Sequence, residues 1–181
     1  MLTIVIPEEE RWDETNEEFV YGKSYTLQLE HSLISLSKWE AKWHKPFMSK
    51  DGMTTEQTID YIKCMTITQN VPDEVFNRLS DENYNDVIAY IESPMTATWF
   101  SKTEEKGKIN NEQVTSELIY YWMIALQIPF ECQKWHINRL LTLIRVCTIK
   151  NQPPKKMSQA EIAKRNRELN EMRKKAMNTR G

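Results

Sequence analysis

The sequence predicts a mainly α protein: a helical domain with a small N-terminal antiparallel β element and a C-terminal basic helical arm. Three observations carry that expectation. Apolar residues recur at three- and four-residue spacing over most of 32–149, and they alternate strictly only near the N-terminus. Glycine is scarce, four in 181 residues, which leaves few seats for the tight turns of an all-β fold. Residues 150–181 hold ten Lys/Arg against three Glu, a net +7, so the first 149 residues of a chain of net charge −2 hold −9.

Taken in order, residues 2–6 (LTIVI) are β-branched and short, the composition of a strand. The acids at 8–18 then interrupt it. Residues 25–30 (YTLQLE) alternate, with Tyr25, Leu27 and Leu29 on one face. Together with 2–6 and 19–21 they make a small antiparallel sheet that needs something packed on it. From His31 the period changes. Ser32 caps a helix with Leu33, Leu36, Trp39/Glu40 and Trp43 inward, ended before Pro46. Thr54 or Thr55 caps the next helix; Thr54-Thr-Glu-Gln57 has capping-box form, and the stripe is Ile59, Ile62 and Met65 or Cys64. Pro72 starts a short helix to Leu79. Ser80 opens another, with Tyr84, Val87, Ile88 and Ile91 inward and a stop near Pro94. Residues 95–100 carry no assignable pattern, and 101–111 read as a polar loop around Gly107.

The strongest periodicity lies at 112–149. Val114, Leu118, Tyr121/Trp122 and Ala125 run down one helix, closed by Ile128-Pro129. A second helix of about 20 residues from Glu131 carries Cys132, Trp135/His136, Leu140, Leu143/Ile144 and Cys147. The short elbow between them predicts antiparallel neighbours. Ile119, Met123, Ile137, Leu141 and Val146 spread apolar character beyond one stripe, so both helices are expected to be covered on two sides, either centrally in the domain or by another subunit. The main domain is therefore read as 1–150, with the β element in 1–30. Residues 151–154 (NQPP) punctuate the chain, and 151–181 is read as a linker and a polar helix opened by Ser158-Gln-Ala-Glu161 and running to about Met177.

Several function classes lose support at this level. Three widely spaced cysteines make no disulfide framework and no metal knuckle, which fits a reducing compartment. No apolar run is long enough for a membrane span, and the N-terminus lacks the form of a signal peptide, so an intracellular protein is expected. Glycine-rich phosphate loops, nucleophile elbows and HExxH are absent. Cys132 and His136 share a face if 131–149 is one helix, but two ligands are too few for zinc, and packing is the better reading. His44 reads as a histidine at a helix C-terminus. The acids at 8–18 read as a solvated loop, or more sharply as a docking strip for a basic partner. No catalytic, cofactor-binding or metal role is assigned to any residue.

The basic arm (Lys155, Lys156, Lys164, Arg165, Arg173, Lys174) has three readings: a solvated helix, a phosphate binder, or a contact for an acidic protein surface. With no aromatic residue there, base stacking has no platform, so solvation or protein contact is favoured over nucleic acid. Six tryptophans and seven tyrosines suit an aromatic core equally well as a protein interface.

The blocks SLISLSKWEAKWHKPF at 32–47, TTEQTIDYIKCM at 54–65, YIESPMTATWF at 90–100 and IPFECQKWHINRLLTLIRVCTI at 128–149 carry a resemblance. So does the arm, PPKKMSQAEIAKRNRELNEMRKK, and together these cover most of 30–175. They resemble tail assembly chaperones of long-tailed bacterial viruses. IPFECQKWHINRLL is the most specific block, since its Trp, His, Cys and Pro are uncommon and closely spaced.

What the resemblance implies is a noncatalytic protein that binds the tape measure protein, keeps it soluble and helps recruit tail-tube subunits. It would act in the cytoplasm of the infected host and be absent from the mature virion. The resemblance also implies a frameshifted longer form, through which the major tail protein would be contacted; Lys155-Lys156 and Lys174-Lys175 permit slippery codons. Self-association is expected from the opposed charges of body and arm. Helix-in-groove recognition would place Leu118, Tyr121, Trp122, Trp135 and Leu140 against the partner. The rival readings are a structural virion protein of the tail or head–tail joint, and a nucleic-acid binder acting through the arm.

Overall fold

The computed structural model describes residues 1–49, 52–100, 113–152 and 159–177, with backbone alone at 11, 13, 20 and 161. The expected loop at 101–111, the prolines of the linker, Lys155, Lys156 and the cap Ser158 lie outside the described residues. The chain forms two units, Met1–Thr148 and Ile149–Gly181.

The first unit is mainly helical, with its strands at the N-terminus. β1 (Leu2–Ile6) pairs antiparallel with β4 (Tyr25–Leu29), Ile4 opposite Leu27. The alternation buries Ile4, Ile6, Leu27 and Leu29 and turns Val5 outward. Between them, β2 (Glu10–Asp13) and β3 (Glu18–Tyr21) form a second ribbon. The single sheet expected from sequence is thus two two-stranded ribbons, and half of the acidic "loop" is a strand. The β1–β4 ribbon survives because its apolar face is covered. α3 (Asp81–Glu92) packs on β1, and residues 66–68 run beside β4, with Ile67 N donating to Gln28 O at 2.8 Å.

Three helices begin where the local signals place them. α1 (Leu33–Trp43), α2 (Thr55–Met65) and α3 open on Ser32, Thr54 and Ser80, each with a reciprocal capping box closed by the residue three positions on. The segment after Pro72 is a 3₁₀ helix, Asp73–Arg78. α1 is the hub of the core, packing against α2 and against α4 (Ser116–Ala125). Its Glu40, nearly buried, spans two elements: one carboxylate oxygen accepts from Phe47 N and the other from Ser116 N, both at 2.8 Å. The second bond answers one of the unpaired donors at the start of α4. In α3 the inward face differs from expectation: Tyr90 is buried and Ile88 is half exposed, because Tyr90 reaches back to Glu30 with an O–H donated at 2.7 Å.

The elbow after α4 closes without glycine. Ile128 N donates to Met123 O and Gln127 N to Ile124 O, the two bonds of a Schellman closure, with Gln127 in the left-handed seat at φ 54°. Ile128 supplies the buried apolar contact of that motif. A side chain in that seat costs about 1 kcal/mol that glycine does not incur. Gln127→Gly is therefore expected to raise stability by roughly 0.5–1 kcal/mol, read as a higher urea midpoint. An unchanged or lower midpoint would show that the seat is not strained.

The predicted second helix divides in two. Phe130–Lys134 is a 3₁₀ helix, and α5 spans Ile137–Asn151. Between them His136 bridges to Ser32, and Ile137 N donates to His31 O at 2.8 Å. Cys132 and His136 therefore do not share a helix face. Asn138 ties α5 to the end of α3 through bonds from its amide to Ile91 O and Ser93 O.

The second unit contains α6 (Gln159–Met177), exposed at every described side chain. No helix among the described residues is long and apolar enough to cross a membrane.

Candidate protein-binding surface

Helix α4 is apolar nearly all round, SELIYYWMIA, yet among the described residues only one side of it is covered. Ser116, Ile119 and Met123 face inward. The stripe expected to be buried, Leu118–Trp122–Ala125, lies on the rim instead: Leu118 and Trp122 are half-buried and Ala125 is exposed. The outermost side chains are Tyr121, 63% exposed, and Ile124, 61% exposed. A helix with this composition normally has neighbours on both sides, so its outer face is an unpartnered apolar surface. Phe130, just past the elbow, extends the surface, half exposed beside Tyr120.

α4 and α5 do not close on each other along their length. A cleft of about 430 Å³ opens between them, walled by Trp122, Ala125 and Leu126 from α4 and its cap, and by Ile144, Arg145 and Thr148 from α5. Its walls are almost wholly apolar, the character of a groove that takes a hydrophobic side chain. Arg145 borders both this cleft and a neighbouring one, and its guanidinium lies 4.2 Å from the Phe100 ring. A second opening of about 450 Å³, lined by Pro94, Trp99, Leu141 and others, begins there.

Of the five residues expected to touch a partner, the structure brings Leu118, Tyr121 and Trp122 to this surface. Trp135 sits at the end of the 3₁₀ helix, half-buried, with the Arg139 guanidinium 4.2 Å from its ring centre. Leu140 is a correction. It has no exposed surface and belongs to the core, because α5 turns Ile137, Leu140 and Ile144 inward. Ile124 and Phe130 were not picked out from sequence, although Ile124, one turn beyond Tyr121, carried the signal. In the arm, Lys164, Arg165, Arg173 and Lys174 are all exposed on α6.

The polar groups with chemical potential lie elsewhere, and they are engaged. His31 and His136, 105 positions apart in sequence, meet with ring centres 5.0 Å apart. His31 Nδ1 is 2.5 Å from the Tyr61 hydroxyl. His136 Nδ1 accepts from Asn138 N, so its Nε2 carries the proton and donates to Tyr90 O at 3.0 Å. Burial, with His136 beside it, pulls the His31 pKa down to about 3. Burial also lowers His136, against its bond to Tyr90 O and the nearby Glu30. Both rings are neutral at pH 7. Burial raises the Cys64 thiol, the opposite of an activated nucleophile. Among the described residues no cluster of His, Cys, Asp and Glu is placed to hold a metal ion.

Fold and surface together describe a mainly helical domain with an open apolar helix face beside a cleft. No family model, no curated protein and no solved structure matches this chain.

Proposed function

We propose that this protein is a tail assembly chaperone of a long-tailed bacterial virus, noncatalytic, holding helical segments of the tape measure protein on the α4 face. The observation that carries the reading is the uncovered side of α4, with Tyr121 and Ile124 standing outward and Trp122 forming the wall of an apolar cleft. An amphipathic helix laid there would cover the exposed face and place an anchor side chain in the cleft. The resemblance in blocks 32–47, 54–65, 90–100 and 128–149 supplies the identity of the partner. A long helical partner offers many similar segments, so several copies gain by multivalency even if each contact is weak. Recruitment of tail-tube subunits would follow from copies carrying a frameshifted extension, and residence in the host cytoplasm from the same role.

The test is co-expression with the tape measure protein of the same virus. Wild type is expected to raise the partner's soluble fraction and to copurify with it. Tyr121→Asp with Ile124→Asp changes only exposed positions, so the fold should persist by circular dichroism, while partner binding should weaken by about tenfold or more. Equal solubility with and without this chain, and no complex, would defeat the proposal. Finding the chain in purified particles by mass spectrometry would then favour a structural virion protein.

A further inference from the structure

The β2–β3 ribbon presents a surface that neither the fold nor the proposed chaperone role uses. Its register sets Trp12 opposite Phe19 and Glu10 opposite Tyr21. Alternation therefore puts Trp12, Phe19 and Tyr21 on one face. The Trp12 and Phe19 rings meet edge to face at 4.9 Å. All three aromatics stay open to solvent, at 48%, 57% and 63% exposure. The ribbon is also the most acidic part of the chain: seven acids against Arg11 in the first 21 residues, with Glu8, Glu10, Glu14, Glu17 and Glu18 exposed.

Helix α6 carries the complementary pattern. Ile162, Leu169, Met172 and Met177 fall on one side at the helical period, and all four are exposed. Arg173 lies within that side, and Arg167 and Lys174 run along one edge of it, with Glu161 and Glu168 along the other. An apolar stripe containing one guanidinium and bordered along one edge by two more basic groups matches an aromatic face edged by carboxylates. Apolar contact, cation–π contact and charge attraction then act together.

We infer that α6 of one copy docks on the β2–β3 ribbon of a second copy. The two surfaces differ, so the contact is heterologous, and repeated head to tail it builds a ring or an open chain rather than a closed two-fold dimer. The inference concerns this chain alone and stands or falls independently of any tape measure contact.

Sedimentation velocity on the full chain tests it. At about 50 mM salt the weight-average mass should rise with concentration, and at about 500 mM it should fall back toward the monomer. Glu10→Lys, Glu14→Lys and Glu17→Lys together should abolish association, as should Arg167→Glu, Arg173→Glu and Lys174→Glu together. Mixing these two variants should restore it, because the basic arm of one meets the acidic ribbon of the other. A mass that stays monomeric at all concentrations would overturn the inference. So would association that survives both sets of reversals. If the mixture of the two variants stays monomeric, arm and ribbon do not pair between copies, and the inference is equally wrong.

Discussion

Trp39→Ala is expected to cost about 4 kcal/mol or more, the upper range for removing a buried aromatic side chain. Trp39 has no exposed surface. Its ring packs against Phe47, Tyr61 and Trp43, with the Phe47 and Tyr61 contacts edge to face. Its Nε1–H donates to Gln57 O in the first turn of α2 at 2.9 Å. The cavity left by alanine would lie between α1 and α2, and α1 also holds α4 through Glu40, so the loss reaches the proposed partner surface. Urea unfolding followed at 222 nm gives the number. Trp39→Phe separates packing from the hydrogen bond: it keeps most of the volume, loses the donor, and is expected to cost about 1–2 kcal/mol. A Trp39→Ala loss below about 1 kcal/mol would mean that α1 and α2 do not pack as described.

Acid should destabilise the fold well before carboxylates titrate. The folded pKa of His31, about 3, lies below the ordinary histidine value near 6.5. The unfolded chain therefore binds a proton that the folded chain refuses. The contribution of neutral His31 is complete above the unfolded pKa and declines as pH falls toward the folded one. Below the unfolded pKa the slope is about 1.4 kcal/mol per pH unit, which amounts to about 2.5 kcal/mol between pH 7 and pH 4.5 from this residue alone. His136, also lowered, acts in the same direction. Unfolding free energies of wild type and His31→Gln across that range decide the matter. The variant should be less stable at pH 7 and have the shallower slope. Parallel slopes would show that His31 is not the residue refusing the proton.

That pair of histidines also marks the limit of what could be read in advance. Ser32, Thr54 and Ser80 are legible as helix starts because a capping side chain sits within a few residues of the first apolar period; the reciprocal boxes at Ser32 and Ser80 appear only in the structure. The alternation in 25–29 is legible because a strand with one buried face must alternate whatever it pairs with. The acid–base asymmetry between body and arm is a property of the chain and needs no fold. On those local grounds the sequence by itself determined the mainly helical class, three helix starts and the N-terminal position of the β element.

The rest depended on residues far apart in the chain. Helix α4 is apolar around its whole circumference, so its period does not say which stripe is buried; the choice of Ile119 and Met123 follows from packing on α1. Apolar residues run in helical register through 131–147, yet the helix breaks at His136, where a bridge to Ser32 captures the backbone. The antiparallel pairing of β1 with β4 is expected, but that β3 pairs with β2 instead of joining them is a choice no local signal encodes. Leu140 lies on an apolar stripe that could equally face a partner or the core, and only the packing of α5 turns it inward. Local hydrogen bonding and periodicity can be counted along a chain. Which of two equivalent apolar faces is covered is settled by competition among distant neighbours for the same contact, and that is decided only when the whole domain closes.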